Sequence, residues 1–417
     1  MRIADAIKAA RALDRTQLLL IPAFAFAIVL LAGLLHHLAT EAPGTNSYAL
    51  LADAFLHGRL DVTRCFDSDC AHFGGKTYVI FPPVPAIVAM PFIAMFGTDF
   101  AGFAALGFLA FAGSLFLWRR IFERLGADGQ TIVWLLLALA FATPLYYVSI
   151  RADRVWFFAQ SINFLLVTLA IHEVMRGGRL VLAGIFLGAA FLCRQMSLLL
   201  LPFLFVLALK AEEPLISFRV GHIARALKLG LPVLGAVALY MIYNEVRFGM
   251  SMETGYAYIK VANPEHWTLI NHRLNNVGLF SKDYVLFNAF YLFVQGFHVD
   301  WAGPDLLTPI RLDPMGTSLL AASPFVLLAV FTPLRRTAVV GGICAAAIVI
   351  VTLFYHGNGF SQYNTQRFVL DWMPVLFYVL ALAIHKGLRP AFAVLTVYAL
   401  GLNAVAMALL AVLPATA

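Results

Sequence analysis

Long apolar runs separated by short polar connections dominate the hydrophobic pattern of this chain. A helix needs about 20 apolar residues to cross the hydrocarbon core of a bilayer, and eleven runs come near that length. These runs occupy residues 18–38, 100–118, 130–148, 155–175, 180–193, 195–210, 229–246, 316–332, 338–355, 368–385 and 391–413. The pattern predicts an all-α, polytopic integral membrane protein with about eleven transmembrane helices.

Basic residues gather on alternate connections between these runs. They are Arg119, Arg120, Arg124, Arg176, Arg179, Lys210, Arg219, Arg225, Lys228, Arg335, Arg336, Lys386 and Arg389. Because short cytoplasmic connections carry an excess of Lys and Arg, we expect these connections and the N-terminus on the cytoplasmic side. The run 18–38 is longer than the apolar part of a signal peptide, so we expect a retained first span. An odd number of spans then places the C-terminus outside, in a bacterial cytoplasmic (inner) membrane.

The irregular chain is expected on the outer face. The first outer loop covers residues 39–99, a second large one covers 247–315, and a shorter one runs from His356 to Arg367. Two short apolar stretches inside the large loops, Pro82–Gly97 and Tyr284–Val299, are predicted as interfacial or re-entrant helices. No internal repeat is visible, so residues 1–417 are expected to form a single transmembrane domain with its site in the long outer loops.

Composition excludes a water-soluble enzyme. Hydrophobic residues make up 62% of the chain, charged residues only 12%, and the mean hydropathy is +0.85, whereas soluble domains are about one quarter charged. The net charge of +7 is spread over the connections between apolar runs and forms no basic stripe. We therefore expect membrane lipid, and no nucleic acid, as a partner.

Two cysteines lie close together in the first outer loop, within the segment Cys65-Phe66-Asp67-Ser68-Asp69-Cys70. In an oxidising compartment Cys65 and Cys70 would form a disulfide, which is the favoured interpretation. The alternative is a metal site in which Asp67, Asp69 and His72 add ligands, although two thiols without a second pair are a weak zinc pattern.

Charged residues at membrane depth are costly and are therefore candidate functional residues. Asp153, flanked by Arg151 and Arg154, is a candidate base or metal ligand, with a surface ion pair as the alternative. Arg194 is a candidate phosphate clamp because a guanidinium group matches phosphate oxygens in a fork. A loop residue that reaches to the interface is the alternative there.

Four further charged residues are weaker candidates on the same face. Three of them would, taken alone, be ordinary solvated residues: Asp53 on a short helix, Asp69 and Lys76. The fourth, Arg367, lies at the start of a predicted span, where it could face a lipid phosphate. No phosphate loop, metalloprotease motif or nucleophile elbow is present. Carboxylates and guanidinium groups at one membrane face are the groups needed to transfer a chemical group from a lipid-phosphate donor to an acceptor. The cations would hold the donor phosphate, and a carboxylate would deprotonate the acceptor.

Several short motifs, taken in order, resemble the GT-C superfamily of membrane glycosyltransferases. The resemblance spans residues 15 to about 390 and is closest to the branch of aminoarabinose transferases and protein O-mannosyltransferases. The motifs are Asn46-Ser47-Tyr48, His57-Gly58-Arg59-Leu60, Gly74-Gly75-Lys76-Thr77-Tyr78, Phe81-Pro82-Pro83-Val84-Pro85, Arg151 to Trp156, Arg194, Tyr243 to Gly249, Glu253-Thr254-Gly255-Tyr256 and Gln362 to Arg367.

This resemblance implies a sugar transferred from a polyprenyl-phosphate donor to a glycan, lipid or protein acceptor on the outer face. It implies Arg194, Arg367, Lys76, Arg151, Tyr256 and Gln362 as substrate-binding residues, and it leaves a divalent cation open. The superfamily usually has an acidic pair after the first span, but Gly44 occupies that position. Asp153 is therefore the first choice for the catalytic base, with Glu41, Asp53 and Asp69 as replacements.

Two other functions fit the same residues. A lipid-linked glycan polymerase or ligase would use the same charges to hold its substrate. A transporter or flippase of a lipid-linked saccharide would more often carry polar residues at the midplane and internal repeats, which favours the enzyme.

Overall fold

The computed structural model describes residues 15–67, 69–259, 269–359 and 366–413, and the chain in these ranges is mainly helical. The α-helices are α1 (Arg15–Leu18), α2 (Leu20–Ala39), α3 (Ser47–Leu56), α4 (Val84–Phe96), α5 (Phe103–Arg124), α6 (Gly129–Phe141), α7 (Pro144–Ile150), α8 (Val155–Gly177), α9 (Leu180–Phe191), α10 (Leu201–Leu207), α11 (Val220–Phe248), α12 (Leu269–Asn276), α13 (Val285–Ala289), α14 (Leu319–Ala322), α15 (Arg336–Phe354), α16 (Met373–Ala383) and α17 (Arg389–Val412). Two antiparallel hairpins join β1 (Cys70–Phe73) to β2 (Lys76–Val79) and β3 (Val299–Ala302) to β4 (Thr308–Leu312).

Six helices in the described ranges are long and apolar enough to cross a membrane, and a bent pair makes a seventh if it counts as one span. They are Thr16–Ala39, Phe103–Arg124, Val155–Gly177, Val220–Phe248, Arg336–Phe354 and Arg389–Val412, with α6 and α7 as the bent pair. The chain is thus a multi-pass membrane protein, as composition predicts. The count of eleven spans is not reproduced by continuous helices.

The remaining apolar runs are helical but broken or short. Run 180–193 forms the short helix α9. Three other runs each combine a 3₁₀ segment with a short α-helix. They are 195–210 (Gln195–Leu200 and α10), 316–332 (α14 and Pro324–Phe331) and 368–385 (Arg367–Asp371 and α16). Run 130–148 bends by 51° between α6 and α7. Proline lacks a backbone N–H and clashes with the preceding turn, and Pro144, Pro202, Pro324 and Pro374 each stand at the start of a segment. Hydropathy alone does not register these breaks.

Helices α9 and α11 pack with unusually close backbones. A Cβ at Gly184 would lie 2.3 Å from the carbonyl oxygen of Leu229, and one at Gly188 would lie 2.9 Å from the Cβ of Ala236. Small residues four apart on one helix face permit this approach in membranes, where packing rather than hydrophobicity drives association. This contact fixes the end of α9, from which Arg194 follows.

The long connections fold against one another at one end of the helices. Cys65 and Cys70 are joined by a disulfide with a Cα–Cα distance of 6.3 Å, which holds the start of β1. An isolated bridge pairs Ala71 of β1 with Ile259 of the second outer loop. The two loops therefore form one layer.

The two apolar stretches expected to be interfacial both contain helices too short to span. Pro82–Gly97 contains α4, of 13 residues, which has Pro91 in its interior. Tyr284–Val299 contains α13 and a π-helical turn at Phe290–Val294. Asn288 lies on α13 and donates hydrogen bonds to the carbonyl oxygens of Thr352, Leu353 and Tyr355 at the end of α15, so this stretch packs against a span.

Candidate active site

A cavity of about 320 Å³ opens where α8 and the segment after α9 begin. Its charged and polar lining comprises Asp69, Arg194, Gln195, Tyr256, Tyr355, His356 and Arg367. Its apolar walls include Phe81, Trp156, Phe157 and Phe368. Four of the predicted site residues, Asp69, Arg194, Tyr256 and Arg367, thus face one space although they come from four separate parts of the chain.

Arg194 is held by a buried carboxylate. Its Nε and Nη2 donate to the two carboxylate oxygens of Asp371, both at 2.7 Å, and the side chain of Asp371 is only 1% exposed. Gln160 donates a further bond of 3.2 Å to the same carboxylate from α8. This bidentate pairing fixes the plane of the guanidinium group. Among the described residues, Nη1 of Arg194 has no hydrogen-bond partner, and this group remains available to a ligand.

Arg367 lies beside Arg194. The two guanidinium carbons are 5.2 and 5.0 Å from the centre of the Phe368 ring, and that of Arg367 is also 5.0 Å from the Phe157 ring. Burial, together with the charge of Arg194, lowers the pKa of Arg367 to about 10. Arg367 still carries its proton near neutral pH, and an anion bound between the two cations would relieve their repulsion.

Asp69 is the carboxylate that lines the cavity. It precedes β1 and is anchored from two sides: the adjacent Cys70 is in the disulfide, and the indole Nε1 of Trp156 donates to Oδ2 of Asp69 at 2.6 Å. Asp69 N donates to the Asp67 carboxylate at 3.0 Å, which shapes the turn. Trp156 lies in the first turn of α8, so the most buried of the six candidate spans positions the carboxylate of Asp69.

Tyr256, Tyr355 and His356 form a further wall of the cavity. The Tyr355 hydroxyl donates to that of Tyr256 at 3.2 Å, and the Tyr256 and His356 rings are 5.8 Å apart. His356 is 4% exposed, and within the described ranges neither ring nitrogen has a hydrogen-bond partner. Burial and the charge of Arg273 lower the pKa of His356 to about 3. The imidazole is therefore neutral near pH 7 and offers one donor and one acceptor to a ligand.

Comparisons with known proteins give one structural similarity. The crystal structure of ArnT from Cupriavidus metallidurans, bound to undecaprenyl phosphate, is similar over 86% of this chain, at 18% sequence identity and a TM-score of 0.44. This chain spans 59% of the length of that structure. No protein-family model and no curated protein matches the chain.

Asp153, the first choice for the base, lies outside the cavity lining. Its carboxylate is 8% exposed and pairs with His37 at 3.2 Å, Arg151 at 3.2 Å and Arg154 at 3.3 Å. Burial would raise the pKa of Asp153, but the hydrogen bond from His37 and the charge of Arg151 outweigh it and hold that pKa below its ordinary value. A carboxylate that two guanidinium groups and a hydrogen bond from His37 stabilise in this way is a poor proton acceptor.

The other predicted residues lie away from the cavity. Asp53 is on α3 and pairs with His57 and Arg59 at 3.5 and 3.6 Å, while Lys76 on β2 pairs with Asp61 at 3.1 Å. Arg151 belongs to the Asp153 cluster. Glu41 accepts from the backbone nitrogens of Phe103 and Ala104 and so caps α5. Gln362 falls outside the described residues.

The metal alternative places Cys65, Asp67 and Cys70 together. Their ligand atoms lie within 4.8 Å of one another, but a disulfide removes the thiolates that a metal would need. Burial raises the pKa of Asp67, which further weakens that side chain as an anionic ligand. The residues present fit a covalent bridge and do not fit a metal.

Two residues of the site escape sequence analysis. Asp371 lies within the apolar run 368–385, where a single acid is costly and is therefore a signal of function. His356 opens the third outer segment but shows no spacing that distinguishes it from other polar loop residues. Their partners are distant in the chain, and only folding brings them to Arg194 and Tyr256.

Proposed function

We propose that this protein is a membrane glycosyltransferase that moves a sugar from a polyprenyl-phosphate donor to an acceptor hydroxyl at the outer face of the cytoplasmic membrane. The observation that carries the proposal is the convergence of Asp69, Arg194 and Arg367 on one aromatic-walled cavity. A membrane protein with this set can hold a phosphate and remove a proton in one space. The motif resemblance to GT-C glycosyltransferases supports the same chemistry.

The two arginines hold the donor phosphate. Arg367 and Arg194 bring two positive charges to the same cavity, and Asp371 pairs with Arg194. As the bond from the sugar carbon to the phosphate oxygen breaks, the phosphate takes the electron pair and gains negative charge. Preorganised cations in a site of low dielectric stabilise that charge strongly.

Asp69 acts as the base in this proposal. The acceptor hydroxyl loses its proton to the Asp69 carboxylate while its oxygen forms the new bond to the anomeric carbon. The polyprenyl phosphate leaves from the opposite face, so a single displacement inverts the configuration. Asp69 is preferred to Asp153 because it lines the cavity, whereas Asp153 lies outside the lining and pairs with Arg151, Arg154 and His37.

The aromatic wall suits the sugar and the acceptor. Phe81, Trp156 and Tyr256 line the cavity, and His356 adds a neutral donor and acceptor. Buried polar groups that hydrogen-bond a substrate hydroxyl discriminate strongly against analogues that lack it. We therefore assign choice of sugar to this wall, and the acceptor is a glycan, lipid or protein hydroxyl.

The test compares Asp69→Asn with Asp153→Asn in a strain that lacks the gene. Lipid-linked and envelope glycans are measured by mass spectrometry, and protein levels by immunoblot. Asp69→Asn is expected to lower product formation by about 10²–10⁴-fold, the usual scale for loss of a general base. Asp53→Asn is the matched control, since it removes a carboxylate of the same loop outside the cavity.

Wild-type product levels with Asp69→Asn would remove it as the base, and a loss with Asp153→Asn at unchanged protein level would return that role to Asp153. If the deletion leaves every glycan linkage intact and only changes the membrane side on which the lipid-linked saccharide is found, the protein is a transporter and the proposal is wrong.

A further inference from the structure

A second concave site lies at the other end of helices α5 and α8. It is a groove of about 510 Å³ between these two helices, and its lining comprises Phe116, Leu117, Arg120, Arg124, Leu169, His172, Glu173 and Arg176. Trp156 of the candidate active site and Arg176 of the groove lie 20 residues apart on α8, which is about 30 Å at 1.5 Å per residue. This is about the thickness of the hydrocarbon core. The groove and the candidate active site therefore lie on opposite faces of the membrane.

The groove is built by helical spacing. Phe116, Arg120 and Arg124 recur every four residues on α5, and Leu169, His172 and Arg176 recur every three or four on α8, so each set forms one stripe on its helix. The guanidinium carbon of Arg120 lies 5.4 Å from the centre of the Phe116 ring. The apolar residues stand toward the membrane centre and the cations at the helix ends.

Charge in the groove is only partly balanced. Arg119 and Arg120 pair with Glu123, and Arg179 pairs with Glu173 at 3.6 Å. Among the residues that the structure describes, Arg124 and Arg176 have no carboxylate partner, and both are exposed. His172 is 7% exposed and its Nδ1 lies 3.0 Å from the Glu173 carboxylate, which fixes the ring in the groove. The site thus presents two unpaired cations and an oriented imidazole above an apolar floor.

We propose that this groove binds the phosphate group of an anionic membrane lipid. Two guanidinium groups match the phosphate oxygens, and the floor formed by Phe116, Leu117 and Leu169 accommodates the start of an acyl or prenyl chain. Basic pockets between spanning helices on the cytoplasmic side commonly bind such headgroups. The ligand is either a bulk phospholipid or the polyprenyl phosphate itself, since both carry a lipid-borne phosphate. This site does not depend on the proposed activity.

The test titrates purified full-length protein in detergent and counts bound molecules by native mass spectrometry. The probes are phosphatidylglycerol, phosphatidylcholine, a polyprenyl phosphate and inorganic phosphate. The variant is Arg124→Gln/Arg176→Gln, and the control is Arg119→Gln/Lys228→Gln, which removes two exposed cations that do not line the groove. The phospholipid titrations use proteins with the native Arg194. The polyprenyl phosphate titration is repeated with Arg194→Gln in each protein, which weakens the candidate active site but keeps an amide donor for the buried Asp371.

We expect tighter binding of phosphatidylglycerol than of phosphatidylcholine. Because each basic residue near an anionic lipid contributes about fivefold, the variant should bind it about 30-fold more weakly, and the control should bind it like the parent protein. Tighter binding of polyprenyl phosphate than of phosphatidylglycerol would identify the carrier lipid as the ligand, and the reverse order a bulk phospholipid. If the double variant does not fold, Arg124→Gln and Arg176→Gln are tested singly.

Three results would overturn the proposal: equal binding of the two phospholipids, equal weakening in variant and control, or inorganic phosphate binding as tightly as the lipids. The first two remove the groove as a specific site, and the third removes the lipid as its ligand.

Discussion

At the scale of single residues, the pair of Arg194 and Asp371 decides how a phosphate can be held. The guanidinium group of Arg194 binds both carboxylate oxygens of Asp371 and still has Nη1 for a ligand. A lysine at this position would keep the positive charge but could not make both sets of contacts. We expect Arg194→Lys to raise the donor KM about 10–100-fold, the equivalent of one charge-assisted hydrogen bond. The measurement is a transfer assay with donor titration.

The control for that experiment is Arg64→Lys, an exposed arginine of the first outer loop that pairs with Asp99 outside the cavity. Its donor KM should match that of the wild type. An unchanged KM in Arg194→Lys would show that the guanidinium fork does not hold the donor. Asp371→Asn leaves Arg194 buried without its anion, so we expect it to lower stability as well as activity.

At this scale Asp153 is a carboxylate in an ion-pair cluster outside the cavity lining, and we expect its role to be structural. Asp153→Asn would leave Arg151 and Arg154 clustered without their anion, which should lower the free energy of unfolding by about 1–3 kcal/mol. Because the pKa of Asp153 is lowered in the folded protein, its contribution is present above pH about 4 and is lost as the pH falls through that lowered pKa.

Melting temperatures in detergent between pH 7 and pH 3 test this prediction. The gap in melting temperature between wild type and Asp153→Asn should be present above pH about 4 and should narrow below it. A gap that stays constant over this range would show that the charge of Asp153 does not stabilise the fold.

At the scale of helices, close contact between α9 and α11 positions the arginine of the site. Gly184→Ala would place a Cβ 2.3 Å from the carbonyl oxygen of Leu229, and relief of that clash requires the helix backbones to separate. We expect a loss of about 1–3 kcal/mol, the usual cost of overpacking, and a lower melting temperature in detergent.

Gly235→Ala on α11 is the matched control, since a Cβ there meets nothing within 4 Å. It should melt like the wild type or slightly higher, because alanine favours a helix over glycine. Equal melting temperatures for the two variants would contradict a close contact between α9 and α11.

At the scale of the whole molecule, the candidate active site and the arginine-rich groove lie about one membrane thickness apart along α8. Reporter fusions after Arg120, Arg219 and Arg335 are expected to indicate the cytoplasm, and fusions after His72 and Asn358 the outer side. The physical reason is the positive-inside rule, which acts on short connections rich in Lys and Arg. A fusion after Arg120 that reports the same side as one after His72 would contradict this orientation.

Much of the fold follows from the sequence because lipid imposes a simple rule. Helices satisfy all of their backbone groups within one segment in a bilayer, so composition alone identifies a multi-pass helical membrane protein. The break in the run 130–148, at Pro144, appears only in the structure. The number of continuous spans is a tertiary property. Whether 195–210 continues as a helix depends on packing of Gln195–Leu200 against α9 and α15, which hydropathy does not measure.

The candidate site divides in the same way. The sequence by itself determined that cations and carboxylates gather at the ends of the apolar runs. This pattern reduced the candidate site residues to a short set that includes Asp69, Arg194 and Arg367. Only the tertiary structure decided which of these residues meet in one cavity and which partners they have. It placed Asp371 against Arg194, 177 positions away. It also placed Asp153 among Arg151, Arg154 and His37 and Asp69 in the lining of the cavity. A charged residue within an apolar run shows in the sequence that a costly charge is buried there. The residue that pairs with it and offsets this cost lies far away in the chain, and only the packing of distant helices brings the two together.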